Sequence, residues 1–517
     1  MRSDPTTCDV LVIGAGPAGL TAAIALARHG VDVLVVERHA GTSPFAKASG
    51  VSTRTMELLR TWDLEQQVRA GAMQIRRGLA VAHTLAAPTQ KADMPTGYPT
   101  DEEALAVSPT RPCYCPQDHL EPVLLEHLRA RGGRVRFRTE LTGFGTDGTG
   151  VYAALHDLPS GRAESIRCRY LIGADGPRSA VRAGLGVDVE DLGTIGEFVA
   201  VTFRADLTRR LPHRPCVLNA VEVAGAEGLF VPNSTDDRWF YCREWYPDRG
   251  ESIEDWTPQR CTELLRAGSG LPDLQPEILA VMPFAMGGHV ATAFRAGRAF
   301  LVGDAAHRTT PVGGIGMNTA IHGAHNLGWK LAWVLRGWAG ETLLDSYEAE
   351  RRPVGTENVL RSLGKGGTVE GNGLSWDIGV RYASAVIDSG IDIGERAPHV
   401  WVRRGGSRIS TLDLFDGRLT VLIGPRGEPW RAAVAELAAD GLPIVALSVG
   451  RELHDEDGSF ARHYSLGDAG AALIRPDGYL AWRRCGPGSD ARTALRTAAG
   501  LALGRVPGLP VSLRQAG

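Results

Sequence analysis

The chain has 517 residues, of which 43% are hydrophobic and 22% are charged, with a net charge of -3. These values are typical of a folded globular protein, and this length predicts about three domains. No long run of one charge sign occurs, which argues against a nucleic-acid or polybasic membrane surface. The sequence lacks a long apolar run, a signal-like N-terminus and any C-x-x-C pair, so we expect a cytoplasmic protein with reduced thiols.

The first informative segment, residues 8–38, combines a short apolar run with a glycine motif. Gly14, Gly16 and Gly19 form G-x-G-x-x-G between a predicted strand and a predicted helix, and Glu37 ends the next strand. Such glycines allow a tight turn, the approach of a pyrophosphate and close helix packing. The helix N-terminus favours phosphates, and an acid at Glu37 accepts hydrogen bonds from a ribose. The segment predicts binding of an ADP moiety without distinguishing FAD from NAD.

The loop after this segment leads into an amphipathic helix that Ser52 or Thr53 could cap. Lys47 precedes the helix and Arg54 opens it, on the same edge as the glycine loop. One of these two cations is a candidate for charge-assisted hydrogen bonds to the pyrophosphate, and the alternative is that both are solvated. Gln117 lies just before a later predicted helix, where a capping or loop contact is the simpler interpretation.

A second informative segment, YLIGADGPRSAVR, occupies residues 170–182. Its pattern predicts a buried strand, a turn at Asp175 and a new helix from Ser179. A carboxylate at the C-terminal end of a parallel strand lies where open α/β sheets bind ligands. Asp175 is therefore a candidate ligand-binding residue, and a solvated turn acid is the alternative.

Residues 195–284 change in character, because short β-rich segments alternate there with Pro, Asp and Gly. This pattern predicts a mostly antiparallel sheet inserted as a substrate-covering domain. Alternation along one of its strands places Trp239, Tyr241 and Arg243 on one face. That face is either an aromatic ligand pocket or an ordinary half-buried sheet surface.

The third segment, residues 298–330, predicts a strand ending at Asp304, a Pro- and Gly-rich loop, and a long helix from near Met317. The glycines let the backbone lie flat against a planar ring, and the helix N-terminus directs free N–H groups at an acceptor on that ring. For a flavin the acceptor is the N1/C2=O edge, which becomes negative on reduction. Asp304 could bind a sugar-like chain hydroxyl, whereas the alternative for the whole segment is a structural connection.

Three histidines follow in the same region, but nearby acids and cysteines do not complete a ligand set, so no metal is predicted. Further on, Pro353 predicts the end of a helix and residues 364–373 a glycine-rich boundary. Residues 411–517 then show the order βαβ–ββα of a thioredoxin-like domain. Without C-x-x-C, a structural or dimerising role is expected there.

Together, GAGPAG with Glu37, GADGPRS and FLVGDAAHRTTPVGGIGMN resemble the FAD-dependent aromatic hydroxylases related to para-hydroxybenzoate hydroxylase. The C-terminal domain and its RPDG hairpin resemble the phenol-hydroxylase branch, and within it bacterial hydroxylases that tailor aromatic polyketides. We therefore expect an α/β protein with three parts: a discontinuous Rossmann-like FAD-binding domain (1–75, 105–185 and 285–365), an inserted antiparallel-sheet substrate domain (76–104 and 186–284) and a thioredoxin-like C-terminal domain (395–517).

The resemblance also implies roles for individual residues. Glu37 would bind the adenosine ribose, and Asp175 belongs to a motif that touches both FAD and NAD(P)H. Asp304 would hold the ribityl chain. Lys47 stands where many relatives carry arginine. A lysine keeps the positive charge of arginine but lacks its planar guanidinium group. The expected FAD-binding residues are Gly14, Gly16, Gly19, Glu37, Arg38, Lys47, Gln117, Asp175, Asp304, Pro311, Gly314, Gly316, Met317 and Asn318.

The implied activity is a monooxygenase that uses FAD, NAD(P)H and O₂ to hydroxylate a polycyclic aromatic, polyketide-like substrate through a flavin C4a-hydroperoxide. The paired tyrosines of the family's small-phenol proton network have no recognisable counterpart, so no side-chain base is assigned. Tyr241 and Arg243 are pocket candidates, with Pro311 at the flavin ring. The alternatives are a Baeyer–Villiger oxygenase acting on a polycyclic ketone and a flavoprotein that binds such a ligand without turnover. A monomer or homodimer is expected.

Overall fold

A computed structural model describes residues 6–94, 96–365, 373–390, 392–486 and 490–505. The strands in the first half of the chain are β1 (Thr6–Ile13), β2 (Val33–Val36), β3 (Gly50–Val51), β4 (Arg76–Ala82), β5 (Thr89–Met94), β6 (Cys113–Tyr114), β7 (Arg134–Arg136), β8 (Thr139–Thr146), β9 (Val151–Asp157), β10 (Arg162–Gly173), β11 (Val189–Arg204) and β12 (Cys216–Val221). The later strands are β13 (Gly228–Pro232), β14 (Arg238–Glu244), β15 (Glu277–Ala291), β16 (Arg295–Ala296), β17 (Ala299–Leu301), β18 (His307–Arg308), β19 (Trp401–Arg404), β20 (Ser407–Ser410), β21 (Leu419–Ile423), β22 (Ile444–Ser448), β23 (Ala471–Ile474) and β24 (Leu480–Arg484).

Helices connect these strands and cover the sheets. They are α1 (Pro17–Ala27), α2 (Thr53–Thr61), α3 (Glu65–Ala70), α4 (Asp101–Val107), α5 (Gln117–Ala130), α6 (Ala180–Gly184), α7 (Leu207–Arg210), α8 (Pro258–Ser269), α9 (Gly316–Leu335), α10 (Asp345–Ser362), α11 (Gly373–Ile378), α12 (Glu428–Ala439), α13 (Ser459–Tyr464) and α14 (Ala491–Ala502). Within the described ranges, none is long and apolar enough to cross a membrane.

The first sheet is the frame on which the three sequence motifs meet. Its described strands run in the order β16-β17-β10-β1-β2-β7, with β9 pairing to β10 and β8 to β9. The central strands are parallel and in register, so that Ile13 lies opposite Gly173 and Gly173 opposite Leu301. Because these strands end at one edge, the loops that follow them converge there, as in other open α/β sheets.

The second sheet has the described order β18-β15-β11-β14-β13-β12-β4-β5. Most neighbours are antiparallel, as predicted, but β4 and β12 pair in parallel. β4 follows helices α2 and α3, whereas β12 follows β11 and α7, so the two strands are far apart in the chain and are not joined by a hairpin. A long crossover of this kind permits a parallel pair, whereas a hairpin does not.

The C-terminal sheet has the order β22-β21-β23-β24, with β21 and β22 parallel and the remaining pairs antiparallel. With α12 between β21 and β22 and α14 after β24, this is the predicted βαβ–ββα order. The prediction that Pro353 ends a helix is wrong, because α10 continues through it to Ser362. Burial of the helix on both sides of the proline offsets the lost backbone hydrogen bond, since packing overrides local propensity.

Helix α9 belongs to two hydrophobic cores. Ala320 and Leu327 pack in the core of the first sheet, whereas Trp329 and Trp333 pack in the core of the C-terminal domain. The junction also holds a fully buried ion cluster, in which Glu350 receives hydrogen bonds from Lys330 (2.7 Å) and from Arg475 (2.7 and 2.9 Å). Burial lowers the pKa of Lys330 to about 8, against the attraction of Glu350.

The ion cluster extends to the turn of the C-terminal hairpin. Arg475 also pairs with Asp477 (2.6 Å), which accepts a hydrogen bond from the Trp329 indole at 3.1 Å. A buried charge that loses its partner is costly, typically by about 3–5 kcal/mol. The cluster therefore fixes the C-terminal hairpin to α9 and α10.

Candidate functional site

The glycine motif after β1 has a different physical reason at each glycine. Gly14 has a φ of +104°, and a Cβ there would lie 2.3 Å from the carbonyl oxygen of Ala174. A Cβ at Gly19 would lie 1.9 Å from the oxygen of Gly14. At Gly16, by contrast, no atom of the described residues lies within 4 Å of such a Cβ. Gly14 and Gly19 therefore serve the fold, whereas Gly16 leaves open space in which a ligand can approach the backbone.

The open space at Gly16 lies at the N-terminus of α1, where Gly16 is the N-cap and makes no side-chain capping bond. Glu37 shapes the neighbouring wall. Its carboxylate accepts hydrogen bonds from the backbone N–H groups of Ala15 (3.0 Å) and His39 (2.9 Å) and keeps further lone pairs for a ligand. Arg38 is exposed beside it. This end of the groove offers free helix N–H groups and one acceptor carboxylate, which suits a phosphate followed by a ribose.

Asp175 makes its hydrogen bonds to residues of its own motif. One carboxylate oxygen accepts from the Ser179 hydroxyl (2.5 Å) and the other from the backbone N–H of Val181 (3.1 Å), so the side chain caps α6. Arg182 then donates to the carbonyl of Ala305, in the turn after β17. These hydrogen bonds connect the segment after β10 to the turn after β17. A direct cofactor contact for Asp175 stays a prediction.

Asp304 lies in the short turn after β17 and is exposed. A Cβ at the preceding Gly303 would lie 2.8 Å from the Cβ of Ala18 and 3.5 Å from that of Ala320. The turn is thus held between the first turns of α1 and α9. Partial desolvation by the surrounding walls raises the pKa of Asp304, and the charges of Arg308 and Lys47 oppose that rise. Asp304 therefore lies between the two helix N-termini, with a cation nearby.

The two cations proposed for a pyrophosphate have different surroundings. Arg54 is buried, donates to Glu57 at 2.9 Å and donates to the carbonyl of Asp477 at 2.6 Å. It is therefore committed to the contact with the C-terminal domain. Lys47 is exposed. Its positive charge lies close enough to Glu121 to lower the pKa of that carboxyl, against the effect of burial, which raises it. Of the two, only Lys47 fits a phosphate contact.

Gln117 is the first residue of α5 rather than a residue before it. Its backbone N–H donates to Ala48 at 2.9 Å, and its side-chain amide donates to Glu121 at 2.6 Å. These bonds hold α5 against the segment that carries Lys47. The amide oxygen of Gln117 remains available to a ligand donor in the groove.

The glycine-rich loop before α9 makes a left-handed turn, with φ of +79° at Gly313 and +62° at Gly314. The helix starts at Gly316 without a side-chain cap. Among the described residues, no acceptor is recorded for the backbone N–H groups of Gly316, Met317 or Asn318. Uncapped donors at the N-terminus of a 20-residue helix form an anion-stabilising site.

The second sheet has one face covered and one face open. We define the closed face by residues that share a buried cluster with α8: Val199, Val201, Phe203, Phe230, Trp239 and Tyr241. The open face consists of partly exposed apolar side chains on the other side of the same strands: Leu79, Val81, Phe198, Leu229, Val231, Phe240, Met282 and Phe284. Phe198 and Phe284 stack with ring centroids 5.8 Å apart, and Met282 is 52% exposed.

The open face borders the strand-end groove. Arg238, which alternation places on the side of Phe240, donates to the carbonyl of Pro44 and pairs with Asp118 of α5. Both partners belong to the part of the chain that carries Lys47 and Gln117. A flat apolar surface therefore lies next to a polar groove that ends in the uncapped helix α9.

The structure corrects the pocket candidates from the sequence. Tyr241 is 0% exposed, and its hydroxyl donates to the carbonyls of Ala226 (3.1 Å) and Glu227 (3.0 Å). Arg243 donates to the carbonyl of Gly225 at 2.9 Å. Both residues lie on the closed side of the sheet, so Tyr241 is a core residue and Arg243 a surface residue of that side. The exposed aromatic residues are their neighbours on the open face.

The chain matches two family models: an FAD binding domain over residues 7–362, and an aromatic-ring hydroxylase C-terminal domain over residues 392–505. It is 39% identical over 555 residues to tetracenomycin A2 monooxygenase-dioxygenase of Streptomyces glaucescens, covering 97% of this chain and 98% of that protein. It is 38% identical over 521 residues to aklavinone 12-hydroxylase of Streptomyces purpurascens, covering 94% and 97%. The chain belongs to the FAD-dependent aromatic-ring hydroxylases.

A solved structure of a relative agrees with this assignment. The ternary complex of aklavinone-11 hydroxylase with FAD and aklavinone matches with a TM-score of 0.88 at 36% identity, over 97% of this chain and 100% of that one. The predicted family, the α/β fold class, the FAD cofactor and the class of flavin-dependent monooxygenase are thereby confirmed. The roles of individual site residues stay predictions.

The groove of this aromatic-ring hydroxylase fits FAD on its own geometry. Open space at Gly16 and the uncapped N-terminus of α1 suit the pyrophosphate, and Asp304 lies midway along the groove. The uncapped first turn of α9 suits the ring edge that becomes negative on reduction. Among the described residues, no group of three or more His, Cys, Asp or Glu side chains could hold a metal ion.

Proposed function

We propose that this monooxygenase hydroxylates a polycyclic aromatic, polyketide-like substrate with NAD(P)H and O₂, in cytoplasmic secondary-metabolite biosynthesis. The observation that carries the proposal is the open face of the second sheet. A flat, partly exposed surface with stacked Phe198 and Phe284 suits a fused-ring molecule, because aromatic pairs add about 0.5–1.5 kcal/mol to simple burial. The names of two relatives point the same way, since they act on tetracenomycin A2 and aklavinone.

The proposed FAD placement follows the groove. Gly16, Glu37 and Arg38 would contact the ADP part, and Gly14 and Gly19 would shape the turn that presents it. Lys47 would contact the pyrophosphate, Asp304 would hold the ribityl chain, and Gln117 would contact the flavin. The loop residues Pro311, Gly314, Gly316, Met317 and Asn318 would hold the ring. When bound, FAD supplies the acceptor for hydride from NAD(P)H and the site at which O₂ is activated.

The chain's own contribution is positioning and exclusion of water. Donors of α9 stabilise negative charge at the ring edge, and they need no rearrangement because the helix is fixed at both ends. The open face holds the substrate ring beside them and displaces water from the apolar wall. No side chain of the described residues is assigned as a base.

The domain boundaries remain a proposal: an FAD-binding domain (1–75, 105–185 and 285–365), a substrate domain (76–104 and 186–284) and a C-terminal domain (395–517). Sheet membership supports them, because β4 and β5 pair within the same sheet as β11 to β15. β18 also joins that sheet, although it lies in the third FAD-binding segment.

The test is substrate-stimulated oxidation of NADPH or NADH by the yellow holoenzyme, with anaerobic bleaching of the flavin. We expect a panel of tetracyclic phenols to accelerate both, and product NMR to show a new phenol. A lactone would instead indicate Baeyer–Villiger chemistry. Failure of either nicotinamide to bleach the flavin, with ligand bound, would indicate a binding protein without turnover.

A further inference from the structure

Tyr98 connects the substrate sheet to the loop beside the uncapped helix. It lies between β5 and α4, and its hydroxyl donates to the carbonyl of Gly314 at 3.0 Å. The same hydroxyl accepts a hydrogen bond from the side-chain amide of Asn318 at 3.2 Å. One side chain from the segment after β5 therefore contacts both the left-handed turn and the first turn of α9.

The ring of Tyr98 also explains two glycines. A Cβ at Gly50 would lie 2.4 Å from the Tyr98 hydroxyl oxygen, and a Cβ at Gly314 would lie 3.2 Å from its ring. A contact of 2.4 Å is shorter than any that a real Cβ makes, so the position of the Tyr98 hydroxyl requires a glycine at residue 50. Gly50 belongs to β3, which pairs with Tyr114 of β6. Tyr98 is thus built into the junction of three segments.

Asn318 is the partner through which Tyr98 acts on the helix. Its amide oxygen accepts from the backbone N–H of Ser52 (2.9 Å) and from the Thr55 hydroxyl (2.8 Å). Its amide nitrogen lies within hydrogen-bond distance of the carbonyl oxygens of Gly50 and Gly314, each at 3.0 Å, and of the Tyr98 hydroxyl, so one of its two hydrogens is shared. All these contacts use the one orientation of the amide that satisfies donors and acceptors together.

We infer that Tyr98 is a positioning residue for the flavin ring: it fixes the Gly313–Gly314 turn and Asn318 so that the free N–H groups of α9 face the ring edge. This inference rests on the proposed placement of the ring at α9. Burial raises the pKa of Tyr98 well above its ordinary value, so its hydroxyl stays protonated and remains a donor to Gly314. It orients the loop and does not accept a proton.

The test compares Tyr98→Phe with Tyr114→Phe in the holoenzyme. The Tyr114 ring lies 5.8 Å from the Tyr98 ring, and within the described ranges the Tyr114 hydroxyl makes no hydrogen bond to the Gly313–Asn318 segment. Each variant removes one hydroxyl from a tyrosine of the same region. Tyr98→Phe loses both hydrogen bonds of this hydroxyl, so we expect it to weaken FAD binding by about tenfold and to change the visible flavin spectrum. Tyr114→Phe should keep the FAD affinity and spectrum of the parent.

A second ligand separates positioning from a general structural defect. ADP lacks the ring, so Tyr98→Phe should bind ADP as tightly as the parent protein while binding FAD more weakly. Equal losses for ADP and FAD, or parental FAD affinity and spectrum in Tyr98→Phe, would overturn the inference. Equal effects of the two tyrosine variants would do the same.

These readouts do not depend on the proposed reaction. If no substrate is ever hydroxylated, the FAD and ADP affinities still test Tyr98. If hydroxylation is established, Tyr98→Phe should also divert a larger share of the electrons taken from NAD(P)H to the reduction of O₂ to hydrogen peroxide, because a misplaced ring transfers oxygen to the substrate less efficiently.

Discussion

The two faces of the second sheet carry similar side chains in different surroundings. On the closed face, Phe230 packs against Tyr241 with ring centroids 4.8 Å apart, and a Cβ at Gly268 of α8 would lie 2.9 Å from it. On the open face, Phe240 projects from the next strand, lies near Phe284 at 6.4 Å and is only partly buried. The difference is the covering helix. Apolar side chains under α8 stabilise the fold, whereas those without a cover are available to a ligand.

The largest expected effect is on the closed face. Phe230→Ala should lower the free energy of unfolding by about 3–5 kcal/mol, because it opens a cavity under α8. Urea unfolding followed by far-ultraviolet circular dichroism measures this change. A loss below about 1 kcal/mol would show that α8 does not pack as tightly as the geometry indicates.

Phe240→Ala is the matched change on the open face. We expect substrate binding to weaken by about tenfold, since one aromatic contact to a fused ring is lost, while stability changes by about 1 kcal/mol or less. Titration of the holoenzyme with whichever tetracyclic phenol stimulates NAD(P)H oxidation gives the affinity. Parental affinity in this variant, or a stability loss as large as that of Phe230→Ala, would remove the distinction between the faces.

Tyr241→Phe tests the hydroxyl on the closed face. The carbonyls of Ala226 and Glu227 lose their donor, so we expect a stability loss of about 1 kcal/mol. Substrate-dependent turnover should stay at the parental rate per folded molecule. A selective fall in kcat or a rise in KM would return Tyr241 to the substrate site.

The smallest effect is expected for Arg243→Ala. Its partly exposed side chain makes a bond to the carbonyl of Gly225 on the side away from the groove, so stability should change by about 0.5 kcal/mol or less. Steady-state kinetics should match those of the parent. An increase in KM would indicate that the closed side also contributes to substrate binding.

The cofactor groove was predictable because its constraints are local. Gly14, Gly16 and Gly19 act within one turn, and the strand, helix and acid around them occupy about thirty residues that can be read together. Asp304 and the loop before α9 form a similar strand–loop–helix unit. In each case neighbouring residues define the geometry, and the resemblance of the three ordered motifs to the aromatic hydroxylases then implied FAD.

The substrate face was not predictable in the same way. Alternation correctly placed Trp239 and Tyr241 on one face, but the sequence of that strand does not contain α8, which decides which face is covered. Tyr98 was missed for a related reason. Its partners Gly314 and Asn318 lie 216 and 220 residues later, and its own segment reads as a Pro- and Thr-rich excursion.

Helix α9 limits how relatives of this enzyme can exchange parts. Its first turn faces the proposed flavin ring, whereas Trp329 and Trp333 complete the core of the C-terminal domain. Recombination at the glycine-rich linker would give Trp329 a foreign hairpin in place of the one that carries Asp477. Glu350 would lose Arg475 in the same event. A viable hybrid must therefore inherit the second half of α9 together with the C-terminal domain, so the two are expected to share one ancestry.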